Sequence, residues 1–394
     1  MPQMSNRIQL FTDSVIRRMT RISDACQAIN LSQGFPDFPP PKALTDTLKQ
    51  IADNGPHQYS VTYGADNVRE AIAQKASPTL KRSISAADEV LITCGSTEAM
   101  MCAMMTVCNP GDKVAIFSPF YENYMADTIL CGAEPIFIPL VPPAYQFDSG
   151  LLEQAFQQGA KALILCNPSN PCGKVFTLQE LEQIAALAIQ YDAVVITDEV
   201  YEHIIYAPHQ HIAIASLPGM WERTITCNSL SKTYSITGWR LGYLIAPATV
   251  MDGCRKVHDF LTVGAPSPLQ EAAVTALHFP PSYYTDLQRL YTHKRSLFLN
   301  GLDQLHIPHN TPEATYYVLI DISAWLNLPQ FSHWSDLEFC EWMTEHIGVA
   351  AVPGSSFFRE PVNHLIRLHF ARADATLEEA LRRLAKLSTL LEKE

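Results

Sequence analysis

The sequence predicts an α/β fold: a large domain built on a mostly parallel central sheet, with a smaller α+β domain beside it. Between about residues 89 and 245, short and nearly continuous apolar runs alternate with segments of helical period, the pattern of strands covered on both faces. After about residue 270 the alternation gives way to a long helical stretch and a mixed region. The bulk numbers agree. A chain of 394 residues can fill two packed lobes, and 47% hydrophobic with 17% charged residues marks an ordinary globular protein.

The elements follow in order. Glu89–Thr93 reads as a strand and Ser96–Val107 as a helix. Lys113–Phe117 is a strand, followed by a helix from about Tyr121; Glu134–Ile138 is a strand before a helix at Leu151–Gln158. Ala162–Cys166 is a strand, and Leu178–Gln190 is a strongly amphipathic helix. Strands follow at Ala193–Thr197, Thr224–Cys227 and Leu241–Ile245. Pro281–Leu305 reads as a long helix, Tyr316–Ile320, Val349–Val352 and Leu365–His369 as strands, and Leu377–Leu391 as the last helix. Pro36–Pro41 is a rigid extended connector. The expected division is an N-terminal arm at 1–45 that joins the small domain, a large domain at 46–280 and a small domain at 281–394.

The formal net charge of -12 argues against nucleic acid as the main partner, because there is no basic surplus to neutralise phosphates. No apolar run approaches membrane-spanning length, and Met1–Arg7 does not lead into a signal-peptide core. The ten cysteines are scattered without a CxxC pair, and most (Cys94, Cys102, Cys131, Cys166, Cys227) fall in apolar runs. This suits reduced, buried thiols in a cytoplasmic protein. No His or Cys spacing suggests a metal site.

Four segments carry chemistry. In Ser229-Leu-Ser-Lys-Thr-Tyr-Ser-Ile-Thr-Gly-Trp-Arg240, Lys232 has small hydroxyl neighbours and an arginine two turns on. A lysine that forms a Schiff base needs such a setting, and hydroxyls with an arginine suit a phosphate. In Thr93-Cys-Gly-Ser-Thr-Glu98 a strand ends and a helix begins, so Gly95, Ser96 and Thr97 offer free amides to an anion; a plain helix cap is the alternative. Asn167-Pro-Ser-Asn-Pro-Cys-Gly173 makes a stiff turn after a buried strand and presents Asn170, or is a turn with no ligand. Thr197-Asp-Glu-Val-Tyr201 puts Asp198 at a strand's carboxyl end, where a charge needs a partner such as a cationic ring nitrogen; Tyr201 can reach the same ligand. A helix cap and a core aromatic are the alternatives, and Glu199 reads as structural. Arg367, among apolar neighbours in its strand, fits a substrate carboxylate or a buried salt bridge.

In this combination the chain resembles the class I/II aminotransferases, pyridoxal 5'-phosphate (PLP) enzymes of fold type I. The resemblance runs from Asn30-Leu-Ser-Gln-Gly-Phe-Pro-Asp37 to Arg367. It implies that Lys232 holds the cofactor covalently, Asp198 pairs with the ring nitrogen, and Tyr201, helped by Asn170, meets the ring oxygen. It places the phosphate on Gly95, Ser96 and Thr97 with Ser229 and Arg240, and stacks Tyr121 on the ring. Tyr59 matches a residue that reaches the neighbouring subunit's phosphate, which implies a homodimer with shared active sites. Arg367, Asn170 and the Gly34 backbone match the site of the substrate α-carboxylate.

The implied reaction moves an amino group from an L-amino acid to a 2-oxo acid by ping-pong kinetics. Members that prefer dicarboxylates carry an extra cation; neither Phe260–Gln270 nor Gly95–Glu98 contains one. Asp198-Glu-Val-Tyr-Glu-His203, Lys256-Val-His258 and Gly348–Pro353 look like the methionine, glutamine and kynurenine branch. Methionine, then aromatic amino acids and glutamine, is the expected order. Phe35, Tyr63, Phe357 and Phe358 are candidate pocket walls, or else packing. A carbon–sulfur β-lyase needs the same lysine chemistry and stays open, as does aspartate aminotransfer. A cofactor-binding regulator would need a DNA-binding module and a basic surplus.

Overall fold

A computed structural model describes residues 5–391, so Met1–Met4 of the N-terminal stretch read above lie outside the described residues. The strands are β1 (Ile29–Asn30), β2 (Val90–Thr93), β3 (Lys113–Ser118), β4 (Glu134–Val141), β5 (Gln146–Phe147), β6 (Ala160–Cys166) and β7 (Val194–Asp198). They continue with β8 (Thr224–Ser229), β9 (Gly242–Ile245), β10 (Tyr317–Asp321), β11 (Val349–Ala350), β12 (Val352–Pro353) and β13 (Leu365–His369).

Eight strands form the main sheet in the order β2-β9-β8-β7-β6-β3-β4-β5. The pairs β8–β7, β7–β6, β6–β3 and β3–β4 are parallel; β9 runs against both its neighbours and β5 against β4. Alternate residues feed two cores. Phe117, Leu163 and Val195 point to one face; Ile116, Ile164 and Ile196 point to the other. That two-sided burial is why these strands read as continuous apolar runs.

Helices cover the sheet. Ser96–Val107 starts at Gly95, whose φ of 83° turns the chain sharply off β2. Leu178–Gln190 opens with a capping box between Thr177 and Glu180. The helices Lys42–Asn54, Asp66–Leu80, Ala248–Thr262 and Ser267–Leu277 had no sequence-based expectation. A third core joins both ends of the chain: Met19 and Leu31 pack with Phe298 of the helix Pro281–Gln304, with Val318 and Ile366, and with Leu377 of the last helix, Asp374–Leu391. There β1 pairs with β11, and β10-β13-β12 form a small antiparallel sheet.

Two expectations need correction. Val349–Val352 is not one strand, because the chain changes sheet at Ala351: β11 pairs with β1 and β12 with β13. Cys94, Cys131 and Cys166 are only partly buried, since each lies at the end of an element. All ten cysteines are free, and among the described residues no helix is long and apolar enough to cross a membrane.

Candidate active site

The parallel strands all end toward one edge, and the chemistry collects there. Asp198 is the last residue of β7, Ser229 the last of β8, Asn167 follows β6, and Gly95 comes two residues after β2. A cavity of about 460 Å³ opens at this edge. Every candidate cofactor- or carboxylate-binding residue named above lines it except Gly95 and Tyr59. Gly95 lies directly behind the wall. Tyr59 is 87% exposed and does not reach the cavity of its own chain.

One end of the cavity is built for an anion. It has the start of the helix Ser96–Val107, with Ser96 and Thr97 facing the space. Arg240, in left-handed backbone with φ of 53°, lies over Gly95 and donates from Nη1 to the Thr237 carbonyl at 3.0 Å. A side chain at Gly95 would collide with that guanidinium, and one at Gly242 would collide with the Gly95–Ser96 backbone. Ser229 donates to the Leu241 carbonyl at 3.1 Å, and Ser231 has a buried Oγ with no hydrogen-bond partner. Two glycines that leave room, an unpartnered hydroxyl, free helix amides and an arginine fit a phosphate.

The floor holds a buried carboxylate. Asp198 accepts from the Tyr124 hydroxyl at 2.8 Å and from the Val200 N–H at 3.3 Å. Burial pushes its pKa up to about 6; those two donors and the positive charge of Lys232 oppose the rise. No ion pair holds Asp198 among the described residues, so a cationic ring nitrogen is a fitting partner. No helix begins at Asp198, so the helix-cap reading does not hold. Tyr121 leans edge-on against Tyr124, with ring centroids 5.7 Å apart.

Lys232 donates to the Gly34 carbonyl at 3.2 Å, and its amine sits 5.9 Å from the Tyr201 and Tyr316 ring centres. Burial lowers its pKa, and the guanidinium charges of Arg240 and Arg367 lower it further, against Tyr317 and Asp198. A lysine so placed has access to its neutral, nucleophilic form.

Opposite lies Arg367, 1% exposed. Its Nη1 donates to Asn170 Oδ1 at 2.8 Å and its Nη2 to the Ser32 carbonyl at 2.8 Å, while Nε has no partner. Its guanidinium carbon lies 4.1 Å from the Tyr317 ring centre and 4.5 Å from that of Phe357. No carboxylate pairs with it among the described residues, which removes the salt-bridge reading. Asn170 therefore faces the arginine with its oxygen.

The aromatic pocket walls need revision. Phe35 lines the cavity. Phe357 is core beneath Arg367, Phe358 borders a neighbouring cavity, and Tyr63 is at the surface under Arg255. Tyr63 sits in the turn before the helix Asp66–Leu80, and Phe357 and Phe358 follow the turn Gly354–Ser356; none of the three lines the cavity. Tyr124 and Tyr317 went unnoticed in the sequence, and Ser231 was legible there only as a small hydroxyl neighbour of Lys232. Also missed is Arg17, on the helix Val15–Cys26, which lines the cavity mouth with Glu122 and Gln33.

Glu199 is structural, paired with His211 at 2.9 Å. A cluster invisible to sequence spacing also appears: Glu98, Cys102 and His258 bring potential ligand atoms within 4.8 Å of one another. Both nitrogens of His258 are engaged, Nδ1 with Glu98 at 2.7 Å and Nε2 with the Thr62 carbonyl at 2.8 Å. These groups satisfy each other.

The family model for aminotransferase class I and II matches residues 27–384. Methionine aminotransferase of Escherichia coli (strain K12) is 35% identical over 375 residues, 95% of this chain and 96% of its own. Human kynurenine–oxoglutarate transaminase 1 is 33% identical, over 93% of this chain and 94% of its own. The crystal structure of YbdL from Escherichia coli, identified with a methionine aminotransferase function, superposes with a TM-score of 0.91 at 34% identity, covering 98% of this chain and 99% of that one. The chain belongs to the class I and II aminotransferase family and is a pyridoxal-phosphate-dependent aminotransferase.

Proposed function

We propose that this aminotransferase accepts methionine best, followed by aromatic amino acids and glutamine, and passes the amino group to a 2-oxo acid by a ping-pong route. The unpaired, buried Arg367 facing Lys232 across one cavity carries the assignment of roles. Arg367 binds the α-carboxylate through its fork, with Asn170 and Gly34 beside it. That contact fixes Cα relative to the Lys232 amine. When bound, the cofactor supplies an electron sink for the pair left on Cα. Lys232 Nζ takes the proton from Cα and later returns it, and its lowered pKa suits both acts. Asp198 holds a positive ring nitrogen by its buried charge, Tyr201 and Asn170 serve the ring oxygen, and Tyr121 covers the ring. Gly95, Ser96, Thr97, Ser229 and Arg240 hold the phosphate.

The substrate order rests on the names of the relatives and on the lack of a cation in Phe260–Gln270 and Gly95–Glu98. Adding donors one at a time to the holoenzyme with a generic 2-oxo acid tests it. Methionine gives the highest kcat/KM; a clear win for aspartate contradicts the order. One observation favours that second reading: Arg17 at the cavity mouth has no carboxylate partner among the described residues. If acidic donors win, Arg17→Ala abolishes the preference while methionine turnover persists. Pyruvate and ammonia released from cystathionine without any 2-oxo acid would instead mark β-lyase chemistry.

We also propose a homodimer in which Tyr59 reaches the neighbouring subunit's phosphate. Its support is an apolar surface: Tyr59, Val61, Phe260, Leu261 and Val263 are all exposed, and Gly264 lies against Thr62 beside the anion end of the cavity. A cytoplasmic location fits ten free cysteines. The proposed domain limits, 1–45 with 281–394 against 46–280, are supported by the core that both chain ends share.

A further inference from the structure

We infer that Tyr317 is a positioning residue of this active site: its hydroxyl supports that of Tyr201, so that Tyr201 becomes a stronger donor to the cofactor's ring oxygen. The inference rests on the roles proposed above for Lys232 and Tyr201. Neither the lysine motif nor the strand-end motifs contain this residue.

Tyr201 donates its hydroxyl proton to the Tyr317 hydroxyl at 3.0 Å, and both residues are 3% exposed. Tyr201 and Tyr317 meet edge-to-face, with centroids 5.9 Å apart. Tyr316 also packs edge-on against Tyr201, with centroids 5.4 Å apart, but it donates its own hydroxyl to the Gly34 carbonyl at 3.0 Å.

Three features hold Tyr317 where it is. It lies on β10, opposite His369 of β13, two positions before Leu319, which pairs with Arg367. The Arg367 guanidinium covers its ring at 4.1 Å, a cation–π contact. Gly34 leaves space for its hydroxyl, since a side chain there would collide with it. One residue thus touches the carboxylate-binding arginine, the Gly34 strap and the ring-oxygen tyrosine, and it lines the cavity. The charged and titratable groups around the pair are Lys232, Arg367, Asp198, Tyr121, Tyr316 and His369.

Both hydroxyls can donate and accept, and each rotates to suit its partners. With the ring oxygen as acceptor, Tyr201 turns its proton from Tyr317 to that oxygen, and the bond between the two hydroxyls reverses, Tyr317 now donating to Tyr201. A chain of this kind in a water-poor site strengthens each bond in it. A hydroxyl donating to the ring oxygen draws off the negative charge that otherwise keeps a proton on the lysine-bound nitrogen. Removing the Tyr317 hydroxyl weakens the donor and makes that proton harder to lose.

The test is the pH titration of the visible absorbance of the Lys232–cofactor link in the holoenzyme. Tyr317→Phe keeps the ring under Arg367 and the fit to Gly34. Its midpoint is expected to rise by about half to one pH unit, the effect of one buried hydrogen bond. Tyr201→Phe raises it at least as far, and the double variant adds little beyond Tyr201→Phe alone. The melting temperature of the cofactor-free Tyr317→Phe protein, unchanged, separates positioning from folding. A Tyr317→Phe midpoint equal to or below that of the parent, with Tyr201→Phe raised, overturns the inference and leaves the proposed roles standing. A Tyr201→Phe midpoint that does not move overturns the role of Tyr201, and the inference with it.

Discussion

At Arg367 a full positive charge is buried with an amide oxygen, a carbonyl oxygen and two aromatic rings for company. Burying a charge without a counter-charge is costly, so the site favours an incoming carboxylate. Arg367→Lys keeps the charge and loses the fork. Steady-state kinetics on that variant are expected to show KM for every amino donor raised about 10- to 100-fold, the loss of one charge-assisted hydrogen bond. An unchanged KM would show that the carboxylate binds elsewhere. Asp198 presents the converse case. Burial lifts its pKa to about 6, so below that pH it is increasingly neutral and no longer pairs with a cationic ring nitrogen. Cofactor affinity of the apoenzyme, followed by fluorescence, is therefore expected to fall as pH drops through about 6. Tyr124→Phe removes a bond that favours the ionised form and shifts that fall to higher pH.

Among the elements, the strand ends decide the site. Lys232, Asp198, Asn170 and the Gly95 turn were legible in the sequence because each sits in a contiguous motif whose local structure follows from Gly, Pro and apolar runs. Arg367 was legible only as an arginine among apolar neighbours; its lack of a carboxylate partner needed coordinates. Tyr124 and Tyr317 could not be read, because a tyrosine in an apolar run looks the same whether its hydroxyl ends in the core or in a cavity. The Val349–Val352 misreading has a similar cause: strand propensity does not say which sheet a strand joins. Gly95 tests the anion end at this scale. Gly95→Ala strains a φ of 83° and drives a methyl group into Arg240. Cofactor affinity is expected to fall about 5- to 150-fold, the equivalent of about 1–3 kcal/mol of strain. The helix Asn123–Leu130 carries a second test. Asp127 is buried with Oδ2 unpartnered, and burial, with the nearby Asp198 charge, raises its pKa to about 7. The folded state therefore holds a proton that the unfolded state releases near pH 4, so this group costs stability as pH rises from about 4 to about 7. Asp127→Asn is expected to gain stability relative to the parent at pH 8 by about 1 kcal/mol or more compared with pH 5, read from denaturant midpoints.

For the whole molecule, the open question of assembly meets the chemistry at one surface. Tyr59 and Phe260, at 87% and 91% exposed, line no part of the cavity. In a two-fold interface each residue counts twice. Phe260→Asp is expected to weaken self-association by about 3–6 kcal/mol, enough to give monomers at micromolar concentration in sedimentation experiments. A parent protein that sediments as a monomer would remove the shared-site proposal and leave the single-chain chemistry intact. That chemistry makes the central claim: Lys232, Asp198 and Arg367 act on one amino acid in one cavity, and the amino group stays on the enzyme until a 2-oxo acid takes it. The most direct measurement is a single half-reaction: methionine mixed with stoichiometric holoenzyme and no 2-oxo acid. The account predicts loss of the cofactor's visible absorbance with release of one equivalent of the matching 2-oxo acid, no free ammonia, and neither change in Lys232→Ala. Ammonia released with turnover, or an unchanged spectrum in the parent enzyme, would contradict it.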